Sequence, residues 1–126
     1  MGVTNAGKAE CAQLLGNTGS PTAFTYLAVG TTATAFAATQ TALLAETTTA
    51  GLARAAATVS TTTTTVTNDT LQLAKTWSVS GSVTIAECGV FNAAAAGDML
   101  ARYVLSPTRS VASGDGFTLT YKVIVA

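Results

Sequence analysis

The stretch that decides the fold is Ser60-Thr61-Thr62-Thr63-Thr64-Thr65-Val66-Thr67, written STTTTTVT. A mucin-like linker of similar composition would be rich in proline and would separate two domains. This run contains no proline, and the turn pair Asn68-Asp69 follows it directly. Because threonine is β-branched and fits a pleated surface, the run predicts part of a strand rather than a linker.

The residues after the turn supply a partner for this strand. Apolar side chains recur there with a period of two, at Leu71, Leu73, Trp77 and Val79. Opposed threonine pairs can also interact across neighbouring strands. The sequence therefore predicts an antiparallel hairpin of two long strands, Leu52–Val66 and Thr70–Val79.

Further strand patterns lie on both sides of the hairpin. They cover Phe24–Val29, Ser82–Ile85, Glu87–Phe91, Met99–Leu105 (ending before Pro107) and Phe117–Val125. Turns are predicted at Asn92–Asp98 and Ser113–Gly116, and a helical turn around Thr41–Glu46 presents Leu43 and Leu44. About seven or eight strands with turns every 8–12 residues predict an all-β, antiparallel β-sandwich that is jelly-roll-like.

One helix is predicted at the amino-terminal end, over about residues 4–15. Thr4 or Asn5 can cap its first turn, and Gly16-Asn17 supplies a left-handed stop. An apolar stripe of Cys11, Leu14 and Leu15 is predicted to pack against the sheets. With the strands from about residue 24 to residue 125, the whole chain, 1–126, is expected to form a single sandwich domain.

Charge is scarce in this sequence and balanced. Only 10% of the 126 residues are charged, and six basic side chains cancel six acidic ones. No long-range field attracts nucleic acid or an anionic membrane, so neither is an expected partner. A weakly charged surface favours association, which is typical of a subunit in an assembly.

The residues for common enzymatic chemistry are missing from the sequence. It has no histidine, which excludes a Ser-His or Cys-His nucleophile and a His-containing zinc site. Glu87 begins an apolar strand and is predicted to pair with Arg54 or Arg102 rather than to act in catalysis. Cys11 and Cys88 are read as small buried hydrophobes, with a disulfide as the minor alternative. We therefore expect no enzyme, no cofactor and no metal.

Several segments resemble small virion structural proteins of tailed bacteriophages. Val3-Thr4-Asn5-Ala6-Gly7-Lys8 and Phe24–Gly30 are similar to a "TNAG-[KR] … ialG" start, and Glu87–Asn92 with Gly97–Arg102 is similar to an "E-x-G-[LV]-F-[ND] … G-x-[ML]-[LI]-A-R" block. The Ser113-Gly114-Asp115 turn also matches. The group includes capsid decoration (cement) proteins and the amino-terminal domains of tail-fibre proteins. The resemblance implies β-rich, non-enzymatic, symmetrically assembled proteins.

The resemblance leads first to a capsid decoration protein that binds and stabilises the major capsid protein lattice. It would be made in the bacterial cytoplasm, reside on the capsid surface of the virion, and form a dimer or trimer. Expected contact segments are Met1–Val3, Phe36–Gln40 and Ser106–Ser113, with Val3, Arg102 and Arg109 as contact residues.

Two alternatives stay open at this point. The chain could be a tail, baseplate or tail-fibre adaptor component, which shares the fold and the resemblance. It could also be a carbohydrate-binding jelly roll for host recognition, which would need exposed aromatic side chains in a groove. Trp77, Phe117 and Tyr121 are instead predicted to serve the core, and Tyr103 is predicted to lie on an apolar face.

Overall fold

The computed structural model describes residues 2–125, which form two packed antiparallel sheets and a helix. The helix α1 is Asn5–Gly16, and the strands are β1 Gly2–Val3, β2 Tyr26–Gly30, β3 Ala55–Ala56, β4 Thr58–Thr62, β5 Thr70–Ser78, β6 Val83–Phe91, β7 Met99–Val111 and β8 Gly116–Ile124. Sheet A has the strand order β1-β7-β6-β2-β3, and sheet B has the order β4-β5-β8. The predicted all-β sandwich with an amino-terminal helix is confirmed.

The jelly-roll-like winding comes from one long two-stranded ribbon. In sheet B, β5 pairs with β8 from Thr70↔Ile124 to Ser78↔Gly116, and in sheet A, β6 pairs with β7. Residues 79–82 join β5 to β6, and residues 112–115 join β7 to β8, so the paired strands cross together from one sheet to the other. There the Val79 N–H donates to the Asp115 carbonyl at 2.8 Å, so the ribbon stays paired as it folds over itself.

Two strand boundaries differ from prediction in sheet A. The segments Ser82–Ile85 and Glu87–Phe91 are one strand, β6, and β7 continues past Pro107 to Val111. Glu87 of β6 pairs with Val104 of β7, and Ile85 pairs with Arg109. A step of two residues along β6 therefore corresponds to a step of five residues along β7. β7 therefore bulges around Pro107, where a residue without an N–H costs no ladder hydrogen bond.

The threonine run is a strand only in its first part. β4 pairs with β5 from Thr58↔Ala74 to Thr62↔Thr70, so the predicted hairpin forms, but the predicted strand Leu52–Val66 is divided into β3 in sheet A and the short β4 in sheet B. Thr63–Thr67 instead forms a loop, because the Asp69 carboxylate accepts the backbone N–H groups of Thr64, Thr65 and Val66 at 2.8 Å each. A side chain that satisfies these donors removes the need for a strand partner.

The predicted helix is confirmed, but its packing face is not the predicted one. Thr4 caps it by accepting the Gly7 N–H at 2.9 Å, and Asn17 ends it in the left-handed region. Leu15 is 91% exposed, whereas Gly7 is buried. A Cβ atom at Gly7 would lie 2.8 Å from the Leu100 Cα, so the helix backbone itself approaches sheet A. Of the predicted stripe, Cys11 is partly buried and packs against the main core, but Leu14 and Leu15 are exposed, because α1 approaches the sheet closely only through its first turns.

The main core lies between the two sheets. It includes Leu27, Val29, Leu73, Trp77, Ile85, Val90 and Tyr121. The Trp77 indole N–H donates to the Ala53 carbonyl at 2.9 Å, which satisfies its polar atom inside the core. Cys88 is buried there as a free thiol, as predicted, and Cys11 is also free.

Candidate functional site

Residues 31–54, which we call the cover segment, join β2 to β3, and their part from Thr34 to Glu46 covers the outer face of sheet A. Under it lies a second small core of Ala28, Leu43, Phe91 and Met99, with Tyr26 packed at its side. The helical turn predicted at Thr41–Glu46 is absent, and turns and extended backbone take its place. Leu43 is buried and Leu44 is half exposed, because the segment lies flat on the sheet rather than coiling above it.

A buried ion pair fastens the cover segment from below. Arg102 Nε donates to Glu87 Oε1 at 2.8 Å, and both side chains have no exposed surface. The Glu87 carboxylate also accepts the backbone N–H groups of Leu44 at 3.2 Å and Ala45 at 2.8 Å. This confirms the predicted Glu87–Arg102 pairing and shows its purpose, which is to hold the cover segment on the sheet.

Arg102 extends the same network towards the far edge of the sheet. Its Nη1 donates to the Thr34 carbonyl at 2.8 Å and to Gln40 Oε1 at 3.4 Å. Gly30 lies beside the pair, and a Cβ there would overlap the Glu87 carboxylate and lie 2.6 Å from the Ala45 carbonyl. The glycine is needed because the cover segment and the carboxylate approach the strand backbone directly.

A second arginine fastens the other end of the cover segment. Arg54 donates to both oxygens of Glu46, at 3.1 and 2.7 Å, and to the carbonyls of Ala93 and Ala96 at 3.2 and 2.8 Å. Its guanidinium carbon lies 3.6 Å from the centre of the Phe91 ring. The bidentate ion pair joins two parts of the cover segment, and the hydrogen bonds to Ala93 and Ala96 with the cation–π contact to Phe91 join that segment to β6 and the turn after it.

These networks change the reading of the three predicted contact residues. Arg102 is fully buried within the chain and offers no surface to a partner, so its role is structural. Val3 is half buried, in β1, opposite Ala101 of β7. Arg109 is exposed on β7. The expected segment Met1–Val3 begins with Met1, which lies outside the described residues.

The two sides of the sandwich are built differently. On one side, β3 of sheet A runs into β4 of sheet B with only Ala57 between them, so the chain itself closes the gap. On the other side, β8 is the edge of sheet B, and β1 covers β7 only at Ala101 and Arg102. Within residues 2–125, the remainder of that β7 edge has no strand neighbour. We call this side the open side.

A cleft of about 290 Å³ lies on the open side, between β7 and β8. Its lining includes Tyr103, Leu105, Pro107, Arg109, Tyr121 and Lys122. The bulge of β7 around Pro107 forms one wall. Tyr103 was predicted to lie on an apolar face of the core, but it is 41% exposed. The pairing of β1 with β7 ends at Arg102, so no strand covers the edge of β7 beside Tyr103.

The polar groups of the cleft are neutral or cationic. Tyr121 is only 5% exposed, and its hydroxyl has no hydrogen-bond partner among the described residues. Burial raises the pKa of Tyr121 above its usual value, and burial followed by the nearby Glu87 charge raises the pKa of the Cys88 thiol to about 12. Arg109 and Lys122 supply positive charge, and neither β7 nor β8 contains a carboxylate.

Sequence reasoning missed the Arg54 network and the cleft. Glu46 lies eight residues before Arg54 in a stretch without a regular period, Phe91 lies much further along the chain, and the cleft depends on the bulge in β7. Within residues 2–125, no group of three or more His, Cys, Asp or Glu residues is arranged to hold a metal ion. Over the same residues, none of the helical structure has the length and apolarity to cross a membrane.

Comparison with known proteins identifies the class of this sandwich. A family model of bacteriophage virion structural proteins matches residues 3–125, and the chain belongs to that family. The family is described as "Podophage GP4 fiber I protein gp80". A comparison with curated proteins finds no match. The family match confirms the predicted resemblance to phage virion structural proteins, and the protein it names is a fibre protein.

Proposed function

We propose that the chain is a structural component of a bacteriophage tail fibre. The observation that carries this proposal is the family match over residues 3–125, whose description names a fibre protein. The sequence resemblance alone covered both capsid decoration proteins and tail-fibre domains, and it led first to decoration of the major capsid protein lattice. The family description favours the second of these, so the tail-fibre role replaces capsid decoration as the main hypothesis.

The fold supports a mechanical rather than a catalytic role. The two fully buried charged residues, Glu87 and Arg102, hold the middle of the cover segment, and Arg54 holds its carboxyl-terminal end. Such networks give the domain one fixed surface, which a subunit needs if it is to fit the same neighbours in every copy. The proposed activity is therefore binding alone.

Three exposed apolar residues at one end of sheet B suggest how copies of the chain would associate. Val66, Ile124 and Val125 are 66%, 51% and 75% exposed. They lie together at one end of sheet B, since Asp69 donates its N–H to the Val66 carbonyl at 3.1 Å and accepts the Val125 N–H at 2.9 Å. We call these three residues the end patch. Contact between end patches of neighbouring copies would form the dimer or trimer expected of a fibre component.

Location in the virion is the first test of the proposal. Antibodies against the chain, labelled with gold, are expected to mark the tail region of purified phage particles in electron micrographs. Tailless heads from the same preparation serve as the control and should remain unlabelled. Label spread evenly over the heads would contradict the fibre role and support capsid decoration.

Self-association is tested separately with the purified chain. Light scattering should give a mass two or three times that of the monomer, and the double substitution V66T/I124T should shift the protein to monomer. L15Q is the matched control, because Leu15 is also exposed and apolar but lies on α1. A monomeric parent protein, or equal masses for all three proteins, would contradict the role of the end patch.

A further inference from the structure

Beside the cleft on the open side lies a buried hydroxyl that the fold itself does not use. Tyr121 packs its ring in the main core and is one of the residues that line the cleft, and its hydroxyl oxygen is buried without a partner among the described residues. Buried tyrosine hydroxyls normally find a hydrogen-bond partner. A hydroxyl buried next to a cleft can donate to an acceptor that enters from outside once the side chains that cover it move aside.

The charges around the cleft indicate which acceptor would fit. Arg109 lies opposite Ile85, a residue of the main core, so its side chain starts on the inward face of β7 at the rim of the cleft. The ion pairs formed within residues 2–125 are Glu46–Arg54 and Glu87–Arg102, and neither involves Arg109 or Lys122. A carboxylate would match both the free positive charge and the tyrosine donor.

The strand edges beside the cleft indicate the form of the occupant. The outer edge of β8 and the edge of β7 beyond Arg102 have no strand neighbour within residues 2–125. Such edges offer rows of backbone donors and acceptors to an extended segment, which can add as a further strand. Side chains of an added strand alternate, so one of them can enter the cleft while its backbone pairs with the edge.

We propose that the open side binds an extended segment of another protein, which adds to the edge of β8 and places an acidic side chain in the cleft. The carboxylate would accept hydrogen bonds from Tyr121 and Arg109. This binding mode goes beyond the proposed fibre role and does not depend on it, because it is defined by the cleft and its edges.

A second copy of this chain fits the open side less well than an acidic partner. The exposed edges that a copy could offer are β7 and β8, whose free charges are cationic, and β3 and β4, which are uncharged. Pairing of β8 with β8 would supply no carboxylate to the cleft, and a register that places the two Lys122 side chains opposite each other would oppose association. The end patch proposed for self-association involves a different part of sheet B.

The test uses the purified chain and two synthetic peptides of extended sequence, acetyl-Thr-Val-Thr-Asp-Val-Thr-Val-amide and its twin with Asn in place of Asp. In a titration of the ¹⁵N-labelled protein followed by NMR, the Asp peptide should shift the backbone amides of Gly116–Lys122 and Tyr103–Arg109. The Asn peptide should bind about tenfold more weakly, because it lacks the charged carboxylate to which Arg109 and Tyr121 would donate hydrogen bonds. No virion enters this experiment, so its outcome is independent of the fibre proposal.

Variants and competing occupants complete the test. R109Q and Y121F should each lose most of the preference for Asp over Asn, while K8Q, which removes an exposed cation on α1, should keep it. No shifts with either peptide, or equal affinities for the two, would overturn the proposal. So would two further results: cleft shifts caused by D-glucuronic acid that leave the β8 edge unaffected, and shifts of Gly116–Lys122 caused by raising the concentration of the protein alone.

Discussion

The outer faces of the two sheets differ, although each sheet contains one half of the same two-stranded ribbon: β6 and β7 in sheet A, and β5 and β8 in sheet B. The outer face of sheet A lies under the cover segment, so β6 is buried on both sides from Ile85 to Phe91. The outer face of sheet B is largely bare, and β8 alternates between half-buried or buried and exposed residues along most of its length. A strand covered on both faces is buried continuously, and a strand covered on one face is buried at alternate positions.

The two outer faces also differ in their polar residues: those of sheet A are buried and hold the cover segment, and those of sheet B are exposed. On sheet A, buried charges fix a long segment that has little regular structure of its own. On sheet B, exposed threonines occupy a surface that nothing covers, as in the Thr76–Thr118 pair, whose hydroxyls lie 2.8 Å apart. Substitutions should therefore be costly on the covered face and almost free on the bare one.

Removal of Arg102 should have the largest effect. Arg102→Met leaves the Glu87 carboxylate buried without its countercharge, and we expect a loss of about 3–5 kcal/mol in the free energy of unfolding. Urea unfolding followed by Trp77 fluorescence measures it. Arg109→Met removes an exposed arginine from the same strand and should stay within about 0.5 kcal/mol of the parent. Similar losses in both variants would show that the covered face is not special.

A pair of glycines gives the next largest contrast. Gly30→Ala places a methyl group against the Glu87 carboxylate and the Ala45 carbonyl, and we expect a loss of about 1–3 kcal/mol from overpacking. Gly116→Ala, at the start of β8, meets no atom within 4 Å and should be neutral or slightly stabilising. Differential scanning calorimetry measures both variants. A loss at Gly116 equal to that at Gly30 would contradict the proposed fit of the cover segment.

The loop at the end of sheet B should show a smaller, pH-dependent effect. Hydrogen bonds from the backbone N–H groups of Val66, Thr64 and Thr65 hold the pKa of Asp69 well below its usual range. The stability they add is present above the unfolded pKa of about 3.9 and is lost as the pH falls towards the folded value. Urea midpoints at pH 6 and pH 2.5 should therefore differ more for the parent than for Asp69→Asn. Equal pH dependence in the two proteins would exclude this role of Asp69.

The bare face of sheet B should be the most tolerant region. Thr76→Val and Thr118→Val remove a pair of exposed hydroxyls while they keep the β-branched shape, so each change should alter the free energy of unfolding by less than about 0.5 kcal/mol. Thermal unfolding by circular dichroism measures the effect. A loss above about 1.5 kcal/mol would indicate that this face supports the fold more than its exposure suggests.

The sequence predicted the parts of the fold that depend on alternation. The final strand, the β4–β5 hairpin and the sandwich class follow from the period of two in their apolar residues. The capped helix follows from Thr4 and Asn17, whose effects are local. The Glu87 pairing was predictable because a carboxylate within an apolar strand needs a buried partner.

The parts that were not predictable depend on contacts between distant segments. The loop at Thr63–Thr67 forms because Asp69 competes with the strand for the same backbone donors. The cover segment lacks any period, and its path is set by Glu87, Arg102 and Arg54. The helix packs through Gly7, which no apolar pattern marks. The cleft depends on the bulge in β7, where β7 has three more residues than β6 between two paired positions.

The folded-over ribbon has a consequence for the order of events during synthesis. Residues 92–98 form its tip, so pairing of β6 with β7 requires only a short loop to close and can spread outward from there. The earlier elements depend on this later hairpin, because β1 pairs with β7 and β2 pairs with β6. On the ribosome, the first half of the chain would therefore wait without a docking surface until residues 83–111 emerged, and folding would proceed from the carboxyl-terminal half backwards.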